Sequence, residues 1–325
     1  MQGHDDASGL IKTFSGSPRV VLDYLIVEVL ERQSDDVQSF LLKSAILDRL
    51  TGSLCDALTG REDGQATLQM LEQANLFVVP LDNERRWYRY HHLFADLLQQ
   101  KLRQTQPESI RPLHGRASMW YEQHHLPYES IRHAFAAGDF QRAAGLAELA
   151  WPEMSLGSHA ITWLGWLEAL PDDLVRQRPV LCAGYAWAFL NSGQLEAAEA
   201  WLEAAERWLE AAAGPNDRPG SGRVVVDEAQ FRGLPLTVAA GRAYHAQAVG
   251  DIAGTMLHSR RVLDLAPEGE QVWRRTAALL LNIALYASGD LEEAQQGLSV
   301  ELDGVDPLEA ITGTFLLAEM QTALG

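Results

Sequence analysis

The stretch RRWYRYHHLFADLLQQ, Arg85 to Gln100, sets two adjacent imidazoles, His91 and His92, between an alternating aromatic run and an amphipathic one. Such a pair could ligate a metal or move protons. A metal site wants ligands at i, i+3 or i, i+4 of a helix, or from converging loops, with carboxylate or thiolate partners. Neighbours at a strand-to-helix junction are instead expected to point in different directions. Asp96, four residues beyond His92, could bond it, an arrangement that fits helix packing better than a ligand set. His114, His124, His125 and His133 supply further imidazoles, but in another helical region. No set has metal-ligand spacing, so no metal site is expected. The paired acids Asp35–Asp36, Asp172–Asp173 and Glu292–Glu293 fall at helix starts or turns, where carboxylates suit the positive helix end. Nothing resembles a nucleophile with a base and an orienting group, so no catalytic residue is assigned and the chain is not read as an enzyme.

The elements around the histidines change period. Val21, Leu22, Leu25 and Val29 have helical spacing. Ser34, followed by Asp35 and Asp36, reads as an N-cap, and Val37, Phe40, Leu41 and Leu47 form one apolar stripe. A second helix holds Leu54, Cys55 and Leu58 and stops at Gly60; a third runs from about Gln65 to Ala74 with Leu68 and Leu71 inward. NLFVVPLDNERRWYRYH then places β-branched and aromatic residues on both sides of a polar LDNERR tip, the pattern of a hairpin. Leu93, Phe94, Leu97, Leu98 and Leu102 restore a helical stripe. Three helices, a hairpin and a helix is the order of a winged helix. Its third helix, GQATLQMLEQANL, would be the one to read DNA, yet it has no lysine or arginine. Only Arg85, Arg86 and Arg89 of the hairpin are basic, which fits a coupling arm better than a DNA reader.

From about Pro107 the strand signals cease. Gly138, Gly193, Gly250 and Gly289 each follow an alanine- or leucine-rich helix and precede another, so each is expected to take the tight turn of a helical hairpin. Five positions on stand Ala143, Ala198, Thr255 and Ala294, small where two helices must approach. Pro267 falls where a tetratricopeptide repeat commonly ends. Gly250 and Gly289 are 39 residues apart, and the earlier turns are separated further by WPEMSLGSHAITWLGWLEALPDDL and the polar GPNDRPGSGR. Repeats this irregular still stack into a right-handed α-solenoid, because each hairpin must bury a face on its neighbours. Trp151, Trp163, Trp166, Trp187, Trp201 and Trp208 are dense here; most are expected to pack helices, and any on a concave face could stack on a sugar or another inducer. The sequence assigns no ligand residue on the superhelix.

Composition narrows the class. The 325 residues carry a net charge of −18, and Lys12, Lys43 and Lys101 are the only lysines. Residues 151 onward hold about twice as many acids as arginines and would repel a phosphate backbone. No apolar run is long enough to span a bilayer, and MQGHDDASGL lacks the order of a signal peptide. Cys55 and Cys182 lie far apart in helix-like sequence and read as small reduced core residues, which makes the cytoplasm the expected location.

The runs FSGSPRVVLDYLIVEVLERQ, FLLKSAILDRLTGSLCDALTG and LEQANLFVVPLDNERRWYRYHHLFADLLQQKL resemble the MalT (maltose-regulon activator) family, large ATP-dependent LuxR-type regulators among the signal-transduction ATPases with numerous domains. The likeness continues through HAFAAGDFQRAAGLAE, WLEALPDDLVRQRPVL and SGQLEAAEAWL. It implies a parent with a nucleotide-binding domain, a winged-helix arm, an inducer-sensing tetratricopeptide superhelix and a DNA-binding helix-turn-helix. On that plan residues 1–33 are a remnant helix of the nucleotide module, 34–106 the winged helix, and 107–325 a tetratricopeptide-like superhelix, with both ends of the chain expected to be cut. No G-x-x-x-x-G-K-[ST] loop occurs, and no basic helix-turn-helix is found at the C-terminal end, so ATP or ADP and DNA belong to the parent and this piece is expected to hold no cofactor. In the family a Met-His-Asp motif at this position lets a histidine touch the β-phosphate of ADP. Tyr90, His91 and His92 stand in its place, so the resemblance makes His91 the nucleotide sensor, while His92 departs from the acid. The plainer role for His91 is to cap the hairpin-to-helix junction. The expected function is that of a regulatory segment, mainly α, whose winged helix couples nucleotide state to a superhelix sensing a small-molecule inducer or regulatory protein, in a parent that could oligomerise. The other class that fits is a stand-alone tetratricopeptide scaffold holding a protein or peptide.

Overall fold

The computed structural model of the chain describes residues 30–154, 160–213 and 223–294. The helix expected from Val21 to Val29 lies outside these residues, as does most of the polar loop after Ala213. Two compact units meet in sequence between Ala143 and Ala144.

The first unit opens with α1 (Asp35–Ser44), whose first turn carries Asp35 and Asp36 against the positive helix end. Ser34 occupies the N-cap position, but its side chain makes no capping bond. Phe40 and Leu41 are fully buried; Leu47 is buried too, although it lies beyond the end of α1. In α2 (Gly52–Thr59) the Thr51 hydroxyl accepts from Leu54 N–H, and Gly60 ends the helix at φ +75°. The third helix, α3 (Gly64–Gln73), buries Leu68 and Leu71, as their spacing predicts. It closes on Asn75 at φ +52°, with Leu76 N–H returning to Leu71 O at 2.9 Å.

Strands β1 (Val78–Pro80) and β2 (Tyr88–Tyr90) pair antiparallel, Val79 opposite Arg89. The Asp82 carboxylate accepts from Arg86 and Trp87 N–H, each at 2.9 Å, and so folds the polar tip. Leu50 adds a third rung that the sequence pattern does not reveal: Leu50 N–H reaches Tyr88 O at 2.8 Å and Tyr88 N–H returns to Leu50 O at 2.9 Å. One residue between two helices carries no periodicity, so only pairing exposes it. Helix α4 (His92–Thr105) buries Phe94, Leu97, Leu98 and Leu102 on the same core. This is a winged helix. The hairpin α5 (Ile110–Gln123) and α6 (Pro127–Ala137) belongs to the same compact unit, with Leu113, Ala117, Trp120 and Tyr121 in that core.

Helix α7 (Phe140–Met154) passes through the division. The second unit continues with α8 (Ala160–Glu168), α9 (Asp172–Arg176), α10 (Pro179–Asn191), α11 (Leu195–Ala213), α12 (Glu228–Val249), α13 (Ile252–Leu265) and α14 (Gln271–Ser288). Each hairpin packs within itself, and α10 also touches α12, as α12 touches α14. Contact between successive first helices is how a solenoid buries the face each hairpin leaves open.

The turns share one device. Gly138, Gly193, Gly250 and Gly289 all sit at φ between +73° and +92°, conformations that a side chain disfavours. Each lets the next N–H bond back five residues, as in Asp251 N–H to Ala246 O at 2.8 Å. After two of these turns the following acid caps the second helix: Asp139 Oδ1 accepts from Arg142 N–H, and Asp251 Oδ1 from Gly254 N–H. Ala143, Ala198, Thr255 and Ala294 are all fully buried, as their position in the first turn demands. Before Pro267, Ala266 leaves helical conformation at ψ 122°, which the proline ring favours.

Candidate functional site

His91 is where the hairpin becomes a helix. Its N–H extends the β ladder to Phe77 O at 2.8 Å, while its carbonyl accepts from Phe94 and Ala95 N–H at 2.9 Å. The backbone of His91 thus caps α4, and its side chain makes no capping bond. Behind it stands Phe77, an aromatic residue held at φ +58°, whose ring lies edge-on to His91 and 5.4 Å from that of Phe94. A bulky residue in the left-handed region is strained, and here it is pinned by the ladder on one side and the core on the other. Tyr90, the preceding residue, locks β2 to α1 through a buried bond to Ser44 Oγ of 2.7 Å.

The side chain of His91 is half-buried, with Nδ1 enclosed and without a hydrogen-bond partner among the described residues. Burial, then His92 and Arg89, hold its pKa below the ordinary value, so the ring is neutral at pH 7. Buried N–H groups without an acceptor are rarer than unsatisfied acceptors. The tautomer that suits this pocket therefore leaves Nδ1 bare and makes Nε2–H a donor.

The two imidazoles do not diverge. Their rings lie 4.3 Å apart at 34°, contrary to the divergence expected of neighbours. Alternation needs both residues extended, and His92 is already in the first turn of α4, which swings its exposed ring back towards His91. No hydrogen bond joins His92 to Asp96, and no group of three metal-ligating side chains occurs among the described residues.

The two arginines at the wing tip are each paired with an acid. Arg85 Nε bonds Glu72 Oε1 at 3.0 Å, and Arg86 Nη2 bonds Glu84 Oε2 at 2.6 Å. Arg89, on β2, is exposed.

Sequence spacing missed two polar clusters. His114 and His133, nineteen residues apart on α5 and α6, meet Nδ1 to Nδ1 at 2.8 Å, and His133 stacks on Tyr121. On α12, Arg242 bonds Glu199 at 2.6 Å and Glu206 at 2.8 Å, with His245 Nδ1 3.3 Å from Glu199. Both clusters join helices that only folding brings together. The tryptophans largely pack: Trp163 is buried and donates to Ala147 O, Trp187 donates to Thr237 O, and Trp208 to Arg176 O. Trp201 lies under the Arg176 guanidinium, 4.6 Å from its ring centre.

Residues 26–110 match the family model described as the MalT winged helix domain. The serine/threonine-protein kinase PknK of Mycobacterium tuberculosis is 32% identical over 188 residues, 58% of this chain and 17% of that protein. The HTH-type transcriptional regulator MalT of Vibrio cholerae is 31% identical over 166 residues, 51% of this chain and 18% of that protein. The chain thus spans less than a fifth of the length of the curated relatives it matches. In fold it is similar to a signal-transduction ATPase with numerous domains from Pyrococcus horikoshii that has a tetratricopeptide repeat sensor, with a TM-score of 0.56, 14% identity, and coverage of 93% of this chain and 50% of that one. Residues 26–110 thus match the MalT winged helix domain, and the glycine-turned helical hairpins that follow make the chain similar in fold to a protein with a tetratricopeptide repeat sensor.

Proposed function

We propose that this chain is the regulatory part of an ATP-dependent, LuxR-type transcription regulator in the cytoplasm. Its winged helix couples the nucleotide state of a separate domain to a superhelix that senses a small-molecule inducer or a regulatory protein. The observation that carries this reading is the placement of His91: a neutral imidazole at a strained strand-to-helix junction, with one nitrogen sealed and the other suited to donate. Such a donor fits a phosphate oxygen of ADP, and a contact made by a single uncharged hydrogen bond is given up readily when the partner state changes. ATP or ADP is held by the separate domain, and DNA is bound through another. The piece itself performs no catalysis and takes no metal. Residues 34–106 form the arm and 107–325 the sensor.

The named relatives differ in output, one a kinase and the other a transcriptional regulator, yet each matches more than half of this chain. That favours a role in what they have in common, which is control. Coupling of this kind requires the inducer to bind the open and closed states with different affinity.

The test is ADP affinity in the intact regulator that contains this chain, with His91→Ala. Loss of one hydrogen bond to a charged group, about 1.5–3 kcal/mol, weakens ADP roughly 10- to 150-fold. His91→Gln, which still offers an N–H, recovers part of the loss. Unchanged ADP affinity in His91→Ala overturns the sensor role.

A further inference from the structure

An open cleft of about 830 Å³ crosses the first unit, walled by the starts of α2 and α3, the wing tip and the end of α5. This is the side on which a winged helix would read DNA, and its charge has the wrong sign for that. Asp56, Glu62, Asp63 and Glu84 line it against Arg85 and Arg86. Most of these charges are spoken for: Asp63 by Arg61, Glu84 by Arg86, and Arg85 by Glu72. Two carboxylates are left over. Asp56 uses Oδ1 to accept from Gly64 N–H at 2.8 Å, and Glu62 is exposed and makes no ion pair among the described residues. Burial, then Asp63 and Glu62, raise the Asp56 carboxyl above its ordinary value despite the bond from Gly64.

The remaining wall is apolar and aromatic. Trp87 lies half-buried along it, and Trp120 carries the His124 ring stacked at 3.7 Å. A surplus of carboxylate beside an indole is the chemistry that takes an organic cation on an apolar stem, the charge meeting the acids and the stem and cation lying on the ring. An open cleft of this size suits an extended segment, since a small ligand is usually enclosed over most of its surface.

We propose that this cleft binds a basic peptide segment of a partner protein, with an arginine or lysine side chain lying along Trp87 and its charge between Asp56 and Glu62. The proposal goes beyond the control role and does not depend on His91 meeting a nucleotide. It makes the α3–wing face a protein-docking surface in a fold that elsewhere uses that face for phosphate.

The experiment is calorimetric titration of the chain with an acetyl-Gly-Arg-Gly-Arg-Gly amide peptide and with the same peptide carrying citrulline, the uncharged isostere of arginine. The arginine peptide is expected to bind about tenfold tighter, and less so as salt rises. Glu62→Gln, at an exposed position, weakens it about two- to fivefold. Trp87→Leu weakens it as well, with folding checked by circular dichroism. Equal binding of the citrulline peptide overturns the proposal, as does an unchanged affinity in Glu62→Gln. Agmatine binding as tightly as the peptide overturns the choice of a protein segment, and so does duplex DNA that competes for the same cleft.

Discussion

His114 and His133 face each other across the α5–α6 hairpin with their Nδ1 atoms 2.8 Å apart, a distance at which one ring donates and the other accepts. His133 is 2% exposed and stacks on Tyr121, and Arg132, which bonds Asp48, stands beside both rings. Nothing about their spacing of nineteen residues announces the pair, yet it governs how the hairpin responds to acid.

Burial, reinforced by Arg132, pushes the pKa of His114 down to about 4. Burial, with His114 and Arg132, pushes His133 down to about 3. Both lie below the unfolded value of about 6.5, so the unfolded chain binds more protons and stability rises with pH. The contribution is whole above pH 6.5 and is lost as pH falls through 6.5 towards 4 and 3. At pH 5 each histidine costs up to about 2 kcal/mol. Urea unfolding at pH 7 and pH 5 measures this, and the double variant His114→Leu/His133→Leu should show a shallower dependence. An unaltered slope would sink the assignment.

The pair Glu148–Arg178 poses the opposite problem, because its charges are both buried. Glu148 is fully enclosed and meets Arg178 at 3.1 Å, while its second oxygen accepts from Val226 N–H at 3.1 Å. Removing either charge breaks a buried ion pair, so Glu148→Leu or Arg178→Met alone is expected to cost about 3–5 kcal/mol. Replacing both by apolar residues costs far less. Chemical unfolding of the three variants checks this, and additive losses in the double variant contradict it.

Two glycines on α12 and its turn should respond to alanine with opposite sign. Gly250 sits at φ +76°, where a Cβ is strained, so Gly250→Ala is expected to destabilise by about 1–2 kcal/mol. Gly233 lies in the helix with open space around it, and Gly233→Ala should stabilise by about 0.5–1 kcal/mol. Melting temperatures of the two variants moving in the same direction would count against the turn geometry.

Local physics was legible before any fold was known. Helical spacing identified α1 to α4, alternation around LDNERR identified the hairpin, and the four recurring glycines located turns that all proved left-handed, with a fully buried small residue five places on. Each of those signals is carried by residues within one or two turns of one another, so the chain states them directly. The histidine junction was found for the same reason.

Tertiary structure decided what sequence separation hides. It paired Leu50 with Tyr88, brought His114 to His133 and Glu148 to Arg178, and turned the two junction histidines towards each other rather than apart. It also tied Arg85 and Arg86 to acids, leaving a carboxylate surplus on the face where basic residues alone had been counted. The spacing of residues specifies which elements form and where they turn, because those choices are made by backbone and neighbour. Which charges cancel, which nitrogen is sealed and which ring meets which depend on contacts between distant segments, and these exist only once the core has closed.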